Sequence, residues 1–339
     1  MADPASVKAA TASVGVGAAD FWPRLRRRLA PWAPVLVLIA LCVAISLVNG
    51  RFVSLRNFAR IADAASIPLV LGLGVTFIIL MGSIDLSMEG VVAFGAVILC
   101  LLVANGANAN DLGLLGAVAV LGVGALMGLA NGVIHVGLRI PSFMVTLGMW
   151  FVGIGIGNTI LGGIQVRITD ETIRALALDQ LLGLKYQVWL ALLALLVAWI
   201  VQERTRLGRY IFAIGGGEDL AALSGIPTRL VRILTFTMAG VFYALGGIMA
   251  AAQQGSAFAL IGSGRLFTAI TAVVVGGTAL WGGQGGVLNT LVGVLIVVVL
   301  ANGMVLMGVS PFIQQIVQGL LIIVAVALSV DRKRATLVT

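Results

Sequence analysis

Charge is scarce in this chain: 10% of its 339 residues are Asp, Glu, Lys or Arg, where a soluble domain carries about 25%. With 60% of the residues hydrophobic, that scarcity excludes a freely solvated globule. There are two cysteines, Cys42 and Cys100, both inside apolar segments, so no disulfide framework is available. The single histidine, His135, has no cysteine or second histidine to join it, which excludes a zinc site. The only lysines are Lys8, Lys185 and Lys333, and none closes a glycine-rich Gly-Lys-Ser/Thr loop. The chain therefore has no phosphate loop with which to hydrolyse ATP. One imidazole beside Arg139 offers no nucleophile-base-orienter set and reads as a residue snorkelling at a membrane interface. The net charge of +8 raises the question of nucleic acid, but the cations flank apolar runs and form no stripe with aromatics.

What is present is a succession of long apolar runs. Bounded by charge, Gly, Pro or Asn, they predict ten spans, at 32–49, 65–81, 88–104, 112–137, 141–161, 187–202, 230–251, 266–281, 287–306 and 312–330. The 44 glycines fall within these runs, where small residues let helix backbones approach closely. Residues 1–30 form a cytoplasmic tail, rich in Ala, Ser and Val at its start and carrying a basic cluster, Arg24 and Arg26 to Arg28; no cleavage site follows the first run, which reads as an uncleaved span. Residues 31–330 form the transmembrane domain and 331–339 a second tail. With both termini cytoplasmic, 14 Lys and Arg fall inside and 7 outside, which agrees with the positive-inside rule. Arg265 counts among the outer seven, and Asp85 and Glu89 lie near the cytoplasmic face.

Two polar breaks interrupt the pattern, at 81–90 and at 276–286. They are either ordinary turns or the paired interruptions of an inverted-repeat transporter, since irregular backbone at membrane depth has to be buried or line a cavity. Asp85 and Ser87 are positioned either to cap the third span or to act in a gate. The loop from Glu203 to Pro227 is the longest charged one on the inside. Residues 218–224 predict a short helix with Glu218 and Asp219 in its first turn and Gly225 and Pro227 to stop it. Leu220, Leu223 and Ile226 give it a small apolar face that asks for a partner. Within the spans, Asn131, Thr146, Asn158, Gln253, Asn289 and Asn302 supply hydrogen bonds without lysine or arginine, which fits an uncharged cargo better than an ion-driven carrier.

Several stretches resemble the ribose-type sugar permeases of bacterial ATP-binding-cassette importers: Ser83 to Ser87, Ile140 to Met149, Thr205 to Tyr210 with Ala213 to Gly216, Leu223 to Ile226, Val275 to Thr278 and Gly308 to Pro311. The resemblance runs from about residue 35 to 330. It implies an all-α integral membrane protein of about ten helices with inverted repeats, similar to the membrane subunit of the vitamin B12 importer and working as a homo- or heterodimer in the inner membrane. It implies a cytoplasmic ATPase subunit, which would hold ATP and magnesium, and an external substrate-binding protein; the chain itself would bind no cofactor and contact lipid but no nucleic acid. The stretch from Gly215 and Gly216 through Glu218, Asp219, Leu220, Leu223, Ser224 and Gly225 to Ile226 would be the coupling helix that docks on the ATPase. Candidate path or gate residues are Asp85, Ser87, Phe143, Met144, Thr146 and Asn302. Phe143 and Thr146, three apart, would share one helix face, an aromatic beside a hydroxyl. Glu89-Gly90 departs from the sugar pattern and looks more like the nucleoside-importing branch.

Overall fold

In hydrocarbon there is no water to bond exposed peptide groups, so a segment must close its own hydrogen bonds, and the α-helix does so within one stretch of chain. The computed structural model describes residues 32–329, and the tails expected at 1–30 and 331–339 lie outside the described residues. Thirteen α-helices account for most of what is described: α1 Ala33–Val48, α2 Leu55–Leu80, α3 Met88–Leu102, α4 Gly113–Leu138, α5 Ser142–Leu161, α6 Glu171–Leu178, α7 Tyr186–Arg204, α8 Arg206–Gly216, α9 Glu218–Leu223, α10 Thr228–Gln254, α11 Arg265–Val275, α12 Val287–Leu306 and α13 Pro311–Ser329. Six of them, α2, α4, α5, α7, α10 and α12, are long and apolar enough to cross a membrane, and α1, α3, α11 and α13 are shorter apolar helices. The chain is an all-α, multi-pass membrane protein. Four two-residue strands tie the loops: β1 (Val166–Arg167) pairs antiparallel with β4 (Ser256–Ala257), and β2 (Gln180–Leu181) with β3 (Leu184–Lys185).

Two boundaries differ from those read off hydropathy. α2 begins at Leu55, ten residues before the apolar run, because Ser54 Oγ caps it by accepting from the Asn57 N–H (3.3 Å). Its charged first turns are accommodated, with Asp63 paired to Lys185 at 2.8 Å. α11 stops at Val275 and not at 281, since Gly277 turns the chain at a φ of +99°.

α2 and α10 are the most buried of the long helices and form the centre. α4 lies against α10 along a stripe of Gly124, Gly128 and Gly132, spaced four apart. A Cβ at Gly128 would meet the Phe236 carbonyl oxygen at 2.2 Å, and one at Gly124 the Gly240 carbonyl oxygen at 2.4 Å. The two backbones touch with no side chain between them, the close approach that small residues permit in membranes.

The short helix α3 changes the depth assigned to the first break. Residues 84–90 run along α5: the Ile84 N–H donates to Ser142 Oγ (3.2 Å), the Leu86 N–H to Thr146 Oγ1 (2.9 Å), and Gly90 packs on Trp150 and Gly153. At 1.5 Å per residue, the first turn of α3, at Gly90, therefore lies about 12–16 Å along α5 from its first residue. There it meets the start of α11, where Glu89 Oε1 accepts from the Leu266 N–H (3.1 Å) and Arg265 lies beside the same carboxylate. Glu89, which is buried, and Arg265, which is part-buried, are assigned to opposite faces from the sequence but lie at one place in the fold. Hydropathy records the order of apolar and polar residues along the chain but not how far an extended polar segment climbs.

Candidate functional site

The segment expected from the sequence to dock on an ATPase is built by two helix caps. Thr205 Oγ1 accepts from the Gly208 N–H (3.2 Å) to start α8, which buries Ile211 and Ile214. Gly217 breaks the helix, and α9 follows at once. At the end of α9, the Ile226 N–H reaches back to the Ala221 carbonyl (3.1 Å) and the Gly225 N–H to that of Ala222 (3.0 Å), with Gly225 at a φ of +79°. This is a Schellman close, which needs a residue that tolerates the left-handed conformation. It fixes a six-residue helix that would be marginal alone. Leu220 and Leu223 stand out from it, 71% and 85% exposed, while Ala221 is buried. Ile226 lies beyond the helix and turns partly inward onto the core, so the apolar face has two leucines where the sequence pattern offered three residues. Asp219 and Ser224 are exposed, and Ser224 donates to the Leu220 carbonyl (2.8 Å).

The two breaks meet beside this segment. Gly283 N–H donates to the Leu80 carbonyl (2.9 Å), Gly82 packs on the Trp281 carbonyl, and Gly215 of α8 sits against both. Gly216, its neighbour, faces open space. The loop 276–286 is held further by Gln202, whose Oε1 accepts from the Val287 N–H (2.8 Å).

The first break is a chain of polar contacts. Asp85 Oδ1 accepts from the Ser87 N–H (2.8 Å) and from Ser87 Oγ (2.6 Å), and Ser87 Oγ in turn accepts from Asn131 Nδ2 (2.9 Å). Ser87 occupies the N-cap position of α3 but its side chain makes no capping bond there, so Asp85 and Ser87 bind each other and not the helix end. The second oxygen of Asp85, Asn131 Oδ1 and the Tyr243 hydroxyl are buried without a partner meeting hydrogen-bond geometry.

Among the other sequence-chosen residues, Thr146 is buried and spends its hydroxyl on the Leu86 N–H and the Phe143 carbonyl. Phe143 and Met144, 42% and 55% exposed, point away from it. The shared face of Phe143 and Thr146 is thus divided: one packs on the break and the other faces outward. Asn302 exchanges two 3.0 Å amide bonds with Asn57, linking α12 to the charged start of α2.

Two residues on which the sequence reading put little weight hold the centre of this region. Arg232 of α10 grips Glu218 of α9 with Nε (2.9 Å) and Nη2, and its Nη1 donates to Ser83 Oγ (3.2 Å) and to His135 Nε2 (3.0 Å). An arginine can only donate, so Nε2 is the acceptor nitrogen, and His135 Nδ1–H donates to the Ile140 carbonyl (2.6 Å). His135 is therefore a part-buried structural residue, edge-on to Phe236, and not one snorkelling to an interface. The available signal was a lone imidazole near the end of a span; its partner lies 97 residues away. Among the described residues, no group of three or more His, Cys, Asp or Glu is arranged to hold a metal.

A helical bundle with six helices long and apolar enough to cross a membrane defines a multi-pass membrane protein. The chain belongs to the permease family whose model, described as the permease component of the branched-chain amino acid transport system, matches residues 57–326. It is 34% identical to the ribose import permease protein of Escherichia coli K12 over 88% of this chain and 93% of that protein. It is likewise 34% identical to the galactose/methyl galactoside import permease protein of the same strain, over 86% and 91%. A probable ABC transporter permease protein of that strain is 37% identical over 86% and 87%. No solved structure matches the chain.

Proposed function

We propose that this chain is the membrane-spanning permease subunit of an ATP-binding-cassette importer, and that it passes a monosaccharide or related polyol delivered by an external binding protein. A separate cytoplasmic ATPase, holding ATP and magnesium, drives it by docking on α9. The single observation that carries this reading is the pair of leucines on α9: two large apolar side chains, 71% and 85% exposed on a turn closed by Gly225, have no packing partner in the isolated chain. The sugar cargo rests on the ribose and galactose permeases among its relatives. Glu89, the residue that looked nucleoside-like, is engaged with the start of α11, so it does not argue for a nucleoside.

The finer architecture belongs to the same proposal. Ten membrane-inserted helices, including the shorter α1, α3, α11 and α13, put both termini in the cytoplasm. Inverted repeats of the vitamin B12 importer type find support in α2 followed by short α3 and α10 followed by short α11, with the two short helices meeting end to end. The second break at 276–286 comes after α11, so the repeat partner of 81–90 is the segment 255–264. Two such chains, identical or not, enclose the path in lipid, with Asp85, Ser87 and Thr146 in the gate, and the chain has no catalytic site of its own.

The test is Leu223→Asp, with Gly225→Trp as an independent change to the same surface. Each is expected to insert normally and to lose the ATPase subunit on co-purification. A Leu223→Asp chain that still retains the ATPase and imports normally refutes the docking assignment.

A further inference from the structure

We infer that Arg232 is the link that carries displacement of the docking helix α9 to the break at 83–87 and so to the start of α5. The inference rests on the reading that α9 receives the ATPase, and it names a positioning residue that neither the sequence pattern nor the family resemblance supplied.

The geometry is a fork used in two directions. A guanidinium is planar, and when Nε and Nη2 take the two oxygens of a carboxylate, the hydrogens of Nη1 face the other way. Arg232 does this: the Glu218 carboxylate fills one side, and Nη1 reaches Ser83 Oγ and His135 Nε2 on the other. The Arg232 side chain is 15% exposed and that of Glu218 46%, so the ion pair is half open to water, while the Nη1 bonds to Ser83 and His135 are part-buried. From the fork, two routes converge on one place. Ser83 leads to Ile84, whose N–H donates to Ser142 Oγ at the first residue of α5. His135 leads through its Nδ1–H to the Ile140 carbonyl, one residue before Pro141 and the same helix. α5 carries the outward-facing Phe143 and Met144 and is the least buried of the six long helices. A push on Leu220 and Leu223 moves Glu218 with the rigid turn of α9, and the guanidinium passes that movement to the foot of α5. A lysine keeps the charge but offers a compact point donor, and it does not span carboxylate, hydroxyl and imidazole at once.

The experiment uses the complete transporter, this chain with its ATPase subunit, in proteoliposomes. Cys42 and Cys100 are replaced, and a nitroxide is attached through Met144→Cys on α5. Two quantities are read: ATPase retained on co-purification, and the change in the nitroxide spectrum when ATP binds. In the Arg232-containing chain the probe is expected to respond. In Arg232→Ala and Arg232→Lys the ATPase is expected to stay bound while the probe response falls about tenfold, the scale on which losing a charge-assisted hydrogen bond acts. Ser83→Ala leaves the Glu218 grip and the His135 route intact and removes only the bond to the break, so it lowers the response by less than Arg232→Ala and without loss of ATPase; it keeps the test alive if Arg232→Ala fails to fold. A merely structural arginine would lower thermal stability and leave the response per bound ATPase unchanged, and that result overturns the inference. So does a probe that stays silent in the Arg232-containing chain, or loss of the ATPase from both Arg232 variants with Ser83→Ala normal, which would make Arg232 part of the docking surface. Retention of the ATPase by Leu223→Asp counts against the docking assignment alone and is thereby separable.

Discussion

Adjacent glycines in α8 should respond to the same methyl group in opposite ways. A Cβ at Gly215 would lie 1.9 Å from the Leu80 carbonyl oxygen and 2.5 Å from the Gly283 nitrogen, both backbone atoms. Ordinary contact needs about 3.5 Å, so Gly215→Ala forces a backbone displacement of roughly 1.5 Å where the two breaks meet. Overpacking of this kind costs about 1–3 kcal/mol, and prising Gly283 from Leu80 removes a 2.9 Å hydrogen bond worth about 1 kcal/mol. The expected total is about 2–4 kcal/mol of destabilisation. A Cβ at Gly216 meets nothing within 4 Å, and the residue is helical, so Gly216→Ala should be neutral or stabilising by up to about 1 kcal/mol. Unfolding midpoints of the two variants in one detergent, read against the unmodified chain, decide the matter. Equal midpoints, or Gly215→Ala the more stable of the two, would refute the close packing of α8 on both breaks. Gly215→Ala should also lower transport in reconstituted vesicles, since the breaks are displaced with it.

Two further outcomes are expected. Glu89→Ala leaves the buried Leu266 N–H without an acceptor and should lower stability by about 1–3 kcal/mol, whereas Glu89→Gln keeps an oxygen for it and should lose less; equal melting of the two would remove the contact from the account. For Phe143, which faces outward, Phe143→Leu and Phe143→Ala should both impair transport or raise basal leak if the ring serves a gate, and tolerance of both in a flux assay would take it out of the path.

The division between what was legible and what was not follows the range of the interactions. The ten apolar helices were written in apolar run length, and α9 in a local code of Glu218, Asp219, Gly225 and Pro227 whose effects all act within one or two turns, whereas α6 and α8 were not read from the polar segments that hold them. The start of α2 escaped notice because Arg56, Arg60 and Asp63 depress hydropathy while costing a helix little. The deep placement of Glu89 and the meeting of both breaks at Gly215 depend on how separate segments pack, with Glu89 bonded 177 residues away. Arg232 and His135 stood in the sequence as one more loop cation and a lone imidazole. Nothing near either residue names its partner, so only the folded arrangement turns them into a junction.

The glycine stripe between α4 and α10 bears on where this molecule is able to bend. With backbone resting on backbone from Gly124 to Gly132, there is no layer of side chains to change rotamer and let one helix slide over the other. The two helices behave as a single beam. α5 is joined to the first break by the hydroxyls of Ser142 and Thr146 and, farther along, by the close approach of Gly153 to Gly90. If the chain alternates between outward and inward access as proposed above, the beam has no need to soften, and the movement falls to the helices packed around it.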